Sequence, residues 1–258
     1  MIEAAGLQKY FKVTSKSTAG RGRGSIVKAV ESVSFTCQPG QVLGLIGPNG
    51  AGKTTTLRIL SSAITPNAGQ VLVEGVPLRQ QDMAVRRRIG FLSGNTGLYL
   101  RLTVRENIAY FGRAYGLKGA ALDARTAQLI EQFGLGAYAD QLADKLSFGN
   151  KQRAAIARTV VHSPSILILD EPTTGLDILG AKLVSDFVLD YKRSGASVIF
   201  STHHMHEVEQ LCDEICIING GVSAYQGTAA TLLANTRTAS LHHAYLHAIS
   251  HPQSHVQA

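Results

Sequence analysis

The sequence predicts an α/β protein, with a mainly parallel β-sheet layered by helices and interrupted by a helical insertion. Three observations carry that prediction. Short apolar runs of strand length recur at 42–46 (VLGLI), 166–169 (ILIL), 198–200 (VIF) and 215–218 (ICII). Helical stretches around 180–193 and 204–212 separate the later runs. Between about Gly94 and Pro164 the pattern turns helical. Strands that are apolar throughout and alternate with helices belong to a sheet covered on both faces, which is the parallel arrangement.

In chain order, the segment through about residue 75 alternates short apolar runs with turns, and 32–36 and 71–73 read as strands beside 42–46. Between Val13 and Ile26 lies TSKSTAGRGRGS, a small, polar, basic insert that reads as a mobile loop. In TVRENIAYFGRAYGL, Val104, Ile108, Phe111 and Tyr115 share one helical face, and Thr103 is placed to cap it. ALDARTAQLIEQFGL carries Leu122, Ala127, Leu129, Ile130 and Phe133 in the same manner. The expected layout is one domain over 1–258, with an α/β core at 1–93 and 165–235, a helical subdomain at 94–164, and a helix and tail at 236–258. His243, His247, His251 and His255 fall four apart in that tail, but Pro252 breaks the run, so a packed or solvated helix is expected rather than a metal ladder.

The bulk numbers exclude more than they assign. At 258 residues, 45% hydrophobic and 17% charged, the chain is an ordinary globular one. Its net charge of +7 suits nucleic acid, an anionic membrane or a phosphate-bearing ligand equally well. Three cysteines, Cys37, Cys212 and Cys216, give no disulfide framework and fit a reducing compartment. The N-terminus lacks an apolar signal core, and no stretch reaches about 18 uninterrupted apolar residues, so any membrane role is expected to be peripheral.

The strongest local signal is Gly47-Pro48-Asn49-Gly50-Ala51-Gly52-Lys53-Thr54-Thr55, directly after the run VLGLI and before TTLRIL. This is the phosphate-binding P-loop pattern in its strand–loop–helix setting. Glycines at 47, 50 and 52 let backbone N–H groups close on phosphates, Lys53 reaches the terminal ones, and Thr54 offers a hydroxyl to Mg²⁺. The second half is ILIL followed by Asp170-Glu171, a buried strand delivering two carboxylates at its C-terminal edge. Asp170 would hold Mg²⁺ directly or through water, and Glu171 would act as general base on the attacking water.

These motifs, with three more, resemble the ABC ATPases over nearly the whole chain. Leu146-Ser147-Phe148-Gly149-Asn150, about twenty residues before Asp170, stands where that family carries its LSGGQ signature; Phe148 and Asn150 depart from the commonest form. Pro172-Thr-Thr-Gly-Leu-Asp177 resembles the family's D-loop, and Ser201-Thr-His203 its switch-histidine loop. The resemblance implies a P-loop core with an N-terminal antiparallel β region and an inserted helical subdomain. It also implies ATP and Mg²⁺ as ligands, with Ser147, Gly149, Asn150 and Asp177 completing the site of a second cassette and His203 contacting the γ-phosphate. A glutamine expected after IGFLS is replaced by Gly94, with Asn95 next as a shorter substitute. The adenine-stacking aromatic falls in QKYFK, where alignment to the family favours Phe11 over Tyr10.

GLYLRLTVRENIAYFGRAYGL resembles cassettes serving ABC-2 type exporters and lies where the family docks helices of a membrane subunit. The implied protein is a transporter ATPase, paired with a second copy or a paralogue at the cytoplasmic face of a membrane. Two other readings stay open. A soluble factor acting on ribosomes or nucleic acid draws on the GRGRG insert and the charge, though such factors generally carry two cassettes in tandem. A non-hydrolysing regulatory cassette draws on Gly94 and the altered signature.

Overall fold

The computed structural model describes residues 1–13, 25–79, 82–94 and 97–250. The basic insert, Asn95 and the tail histidines His251 and His255 therefore lie outside the described residues. Ten strands form one sheet among the described residues, in the order β5-β4-β1-β2-β10-β9-β3-β8-β7-β6. The N-terminal wing is made of β1 (Ile2–Val13), β2 (Ser25–Cys37), β4 (Ala68–Val73) and the short β5 (Val76–Pro77). Here β1 pairs antiparallel with both β2 and β4.

The other wing is largely parallel. β3 (Val42–Ile46) lies between β8 (Ser197–Ser201) and β9 (Glu214–Asn219), parallel to both. β7 (Ile166–Asp170) lies between β8 and the edge strand β6 (Ile89–Leu92), again parallel to both. β10 (Val222–Gly227) pairs antiparallel with β9 and touches β2, joining the two wings.

Period-two alternation explains why these strands are apolar throughout. Val42, Leu92, Leu167, Leu169, Val198 and Phe200 face one core, shared with the helices that follow β6. Leu43, Leu45, Ile166, Ile168 and Ile199 face a second core, filled by the β1–β2 wing and α1 (Lys53–Leu60). Neither face of β3, β7 and β8 is left for water, so their central positions are apolar and polar residues fall only at strand ends, Asp170, Ser197 and Ser201.

Between β6 and β7 lie α3 (Val104–Ala114), α4 (Gly119–Gln132) and α5 (Phe148–Thr159). Thr103 caps α3 as expected: its hydroxyl accepts from the Glu106 N–H at 3.1 Å, while Glu106 accepts from the Thr103 N–H at 2.8 Å. Val104 and Ile108 are fully buried. On α4 one expectation needs correction: Ala127 is exposed and Thr126 is buried in its place. The buried face, Leu122, Leu129, Ile130 and Phe133, is otherwise the expected one; the small Ala127 gave the pattern little to weigh, and position 126 lies in line with that face. The four-residue helix α2 (Met83–Arg86), capped by the Asp82 side chain, was not expected; a single turn is too short to show periodicity.

The chain continues with α6 (Ile178–Arg193) between β7 and β8, α7 (Met205–Leu211) after β8, and α8 (Ala229–Thr236) and α9 (Leu241–Ser250) at the end. His243 and His247 ride on α9, which packs through Leu241, Ala244 and Ala248. Cys37 and Cys216 are buried and Cys212 is half-buried. Burial pushes the Cys37 and Cys216 thiols up to about 12, so both are inert packing groups.

Candidate nucleotide site

Three loops leave the C-terminal ends of the neighbouring parallel strands β3, β8 and β7, and Lys53, Thr54, Asp170, Glu171 and His203 sit on or beside them. The first runs from β3 to α1. Gly52 takes the N-cap of α1 with φ at 108°, and a Cβ there would collide with the Ala29 carbonyl, so this turn requires glycine. The loop also hydrogen-bonds within itself, from the Ala51 N–H to the Pro48 carbonyl at 3.2 Å. Lys53 is buried, and its ammonium donates to the Gly47 carbonyl at 2.7 Å and the Pro48 carbonyl at 3.1 Å. Burial pushes the Lys53 ammonium below its usual range, while the Glu171 and Asp170 carboxylates act in the opposite direction. Thr54 and Asn49 are exposed at the rim, and Thr55 is half-buried.

The second loop leaves β7. Asp170, its last residue, is buried, and its Oδ1 accepts from the Ser201 hydroxyl at 2.7 Å and from the Thr54 hydroxyl at 3.4 Å. Glu171 follows with φ at 49°, a left-handed conformation that costs a non-glycine residue about 1–3 kcal/mol. The conformation is held in place: the Glu171 N–H donates to Ser201 Oγ at 3.0 Å, and Thr174 Oγ1 donates to Glu171 Oε2 at 3.4 Å. The third loop leaves β8 and carries His203, whose Nδ1 lies 3.5 Å from Glu171 Oε1. Lys53, Thr54, Asp170, Glu171 and His203, separated by up to 150 positions, thus share one strand-end crevice.

Phe11 stands on β1, 40% exposed rather than buried in the core, with Lys9 Nζ 5.5 Å from its ring centroid. Gly94 has open space where a side chain would project.

The signature residues form a separate surface. Ser147 caps α5, accepting from the Asn150 N–H at 3.3 Å. Gly149 is half-buried, and the buried Asn150 accepts from the Arg153 guanidinium. Asp177 caps α6 in the same way, accepting from the Gly180 N–H at 2.7 Å. One groove of about 550 Å³ is lined by Ser147, Gly149, Asn150, Asp177 and Leu179.

Sequence reading missed Ser201 and Thr174. Ser201, which opens the motif that carries His203, fastens Asp170 and Glu171 together. Hydroxyl residues carry no spacing signal, and only the parallel register that places Asp170 opposite Ser201 reveals it.

The family model for ABC transporters matches residues 30–174, from the wing through the signature to the D-loop. The chain belongs to the ABC transporter family. It is 40% identical over 235 residues to the ABC transporter ATP-binding protein NatA of Bacillus subtilis (strain 168), covering 91% of this chain and 96% of that protein. To the Nod factor export ATP-binding protein I of Paraburkholderia xenovorans (strain LB400) it is 38% identical over 206 residues, covering 80% of this chain and 68% of the relative. A solved ATP-binding subunit of an ABC transporter superposes with a TM-score of 0.82 at 28% identity, over 96% of this chain and 98% of that one. A dimeric cassette solved with ADP and Pi shares the fold, with a TM-score of 0.78 at 23% identity. This ABC chain is thus an ATP-binding subunit of its family, and no helix among its described residues is long and apolar enough to cross a membrane.

Proposed function

We propose that this chain is the ATP-hydrolysing subunit that drives export through a separate membrane subunit, working as a pair of copies that close on two ATP molecules. The observation that carries the reading is the strand-end crevice, where the loops bearing Lys53, Asp170, Glu171 and His203 meet.

Each group has a task that its placement suits. The loop 47–55 offers backbone N–H groups and the α1 N-terminus to the phosphates, with Lys53 adding a buried positive charge. Thr54 and Asp170 supply two oxygen donors at the rim of that loop, a set that fits a hard cation such as Mg²⁺, which when bound neutralises phosphate charge. Glu171 accepts a proton from water as the water oxygen bonds to the γ-phosphorus. The bond from that phosphorus to the bridging oxygen breaks, leaving ADP and phosphate. His203, beside Glu171, donates to the γ-phosphate and keeps the carboxylate aimed. Phe11 offers an exposed ring for adenine to stack on.

Ser147, Gly149, Asn150 and Asp177 lie on the outward groove and would meet the nucleotide of the partner copy, so ATP joins two chains and hydrolysis releases them. The membrane partner would be of the ABC-2 type. It would dock on the aromatic cluster of Tyr99, Tyr110 and Phe111, whose outer rings are half-exposed. With such a partner the chain would work at the cytoplasmic face of a membrane. The names of the relatives, which include a Nod factor exporter, support export as the direction.

The test is the solution mass of Glu171→Gln with and without Mg·ATP. A dimer that forms only with ATP, together with turnover reduced about 100-fold or more, is the expected result. A chain that binds ATP and stays monomeric overturns self-pairing, and wild-type turnover removes Glu171 as the base.

A further inference from the structure

We propose that Glu207 is a positioning residue that locks the Glu171 loop to the His203 loop; this rests on the hydrolytic reading above. Glu207 belongs to none of the family motifs described so far, yet among the described residues it and Asp170 are the buried acids, Glu207 at 4% exposure. Its two oxygens reach two different loops. Oε1 accepts from Thr173 Oγ1 at 2.6 Å, and Oε2 accepts from Thr202 Oγ1 at 2.5 Å. Thr173 stands two residues after Glu171, and Thr202 stands one residue before His203. Both threonines are themselves buried.

The local helix chemistry makes this arrangement unusual. Glu207 is the third residue of α7, whose N-cap is His204. A glutamate at that position ordinarily reaches back to the N-cap N–H and closes a capping box. Here the His204 N–H goes instead to Thr202 Oγ1 at 3.0 Å, which leaves the carboxylate free to span the loops. Thr202 thus accepts from the α7 N-cap and donates to Glu207, fixing the turn that displays His203. The two bonds to Glu207 come from neutral hydroxyls. Sequestering a carboxylate from water for two such bonds is expensive for stability alone, and the cost is understandable where placement of the neighbouring loops matters.

The Ser201 hydroxyl, donating to Asp170 and accepting from the Glu171 N–H, fastens the same two loops at the strand ends. Glu207 fastens them a second time, beyond the reacting groups. With both in place, Glu171 and His203 keep their 3.5 Å spacing as a unit.

The experiment compares Glu207→Gln, Glu207→Leu and Glu171→Gln in the full chain by thermal unfolding, Mg·ATP affinity and steady-state turnover. Positioning predicts that Glu207→Leu lowers kcat about 30-fold or more while the ATP Kd moves less than about 3-fold. Glu207→Gln, which keeps one acceptor oxygen, should lose less, about 3- to 10-fold in kcat. Wild-type kcat in Glu207→Leu overturns the proposal, as does a fall in turnover that only tracks lost ATP binding or lost folded protein. Glu171→Gln separates the two ideas. If it keeps wild-type turnover, the reading of Glu171 as base fails. If it loses turnover while Glu207→Leu does not, only the clamp fails.

Discussion

The two halves of the proposed nucleotide site are built in opposite ways. The half formed by β3, β7 and β8 turns inward: Lys53 and Asp170 are buried, and Ser201, Thr54 and Thr174 already hold the carboxylates. The half formed by the signature and D-loop turns outward: Ser147 is exposed, Phe148 is 60% exposed, and Ile178 and Leu179 are 88% and 78% exposed. The inward half is finished by its own chain. The outward half is capped and shaped, but its largest apolar groups have nothing over them. Large apolar side chains each stabilise by about 1.5–3 kcal/mol when covered, so a partner surface laid over these groups would be held by them.

The largest expected effect comes from breaking the inward half alone. In Lys53→Ala the phosphate loop loses its buried positive charge, and the two carboxylates nearby lose the cation that offsets them. ATP affinity or turnover should fall about 100-fold or more, read by equilibrium binding and phosphate release. Because the outward face is untouched, a mixture with an intact chain should still show the variant's signature serving the other site. Unchanged hydrolysis in Lys53→Ala would remove the P-loop assignment.

Breaking the outward half should give the complementary phenotype with a smaller loss. Ile178→Asp combined with Leu179→Asp puts two charges on the most exposed large apolar pair among the described residues. Like charges would then face each other across a two-fold interface, and apolar cover would be lost. ATP-driven dimerisation should weaken about 10-fold or more, while the melting temperature and single-chain ATP affinity stay within error. A drop in monomer stability instead would show that the pair packs within the chain.

The same contrast explains what the sequence could and could not disclose. The inward half was legible because its chemistry needs fixed residue types at fixed offsets: glycines and lysine on a strand-to-helix loop, and two acids at the end of an apolar strand. Its hydroxyl fasteners were not, because Ser201 meets Asp170 only through strand register. The parallel sheet was legible in its apolar runs, whereas β1 was not, since its twelve residues mix Gln8, Lys9 and Lys12 with buried Ile2, Ala4 and Leu7. On the outward half the motif positions were visible, but the use made of Phe148 was not.

That residue offers the finest way to sharpen the comparison. Phe148 replaces the glycine common in the signature, and its ring lies over Gly175 in the D-loop. A Cβ added at Gly175 would stand 2.7 Å from Phe148 Cε1. Gly175 also has φ at 76°, so alanine there carries a backbone penalty of about 1 kcal/mol besides the clash. The two penalties can be separated with a double-mutant cycle of Phe148→Gly and Gly175→Ala, measured by urea unfolding. The backbone penalty, and the cost of a glycine at the start of α5, occur in both backgrounds and cancel. The clash exists only when the ring is present. Gly175→Ala should therefore be milder in the Phe148→Gly background by about 0.5–1 kcal/mol, the lower end of the coupling found for residues in contact. Additivity within about 0.3 kcal/mol would mean that the half-exposed ring swings aside at no cost, leaving the signature and D-loop to move separately. Measurable coupling would mean that even the outward half has one internal fastening, a ring on a glycine, and that the two motifs approach the partner copy as a single surface.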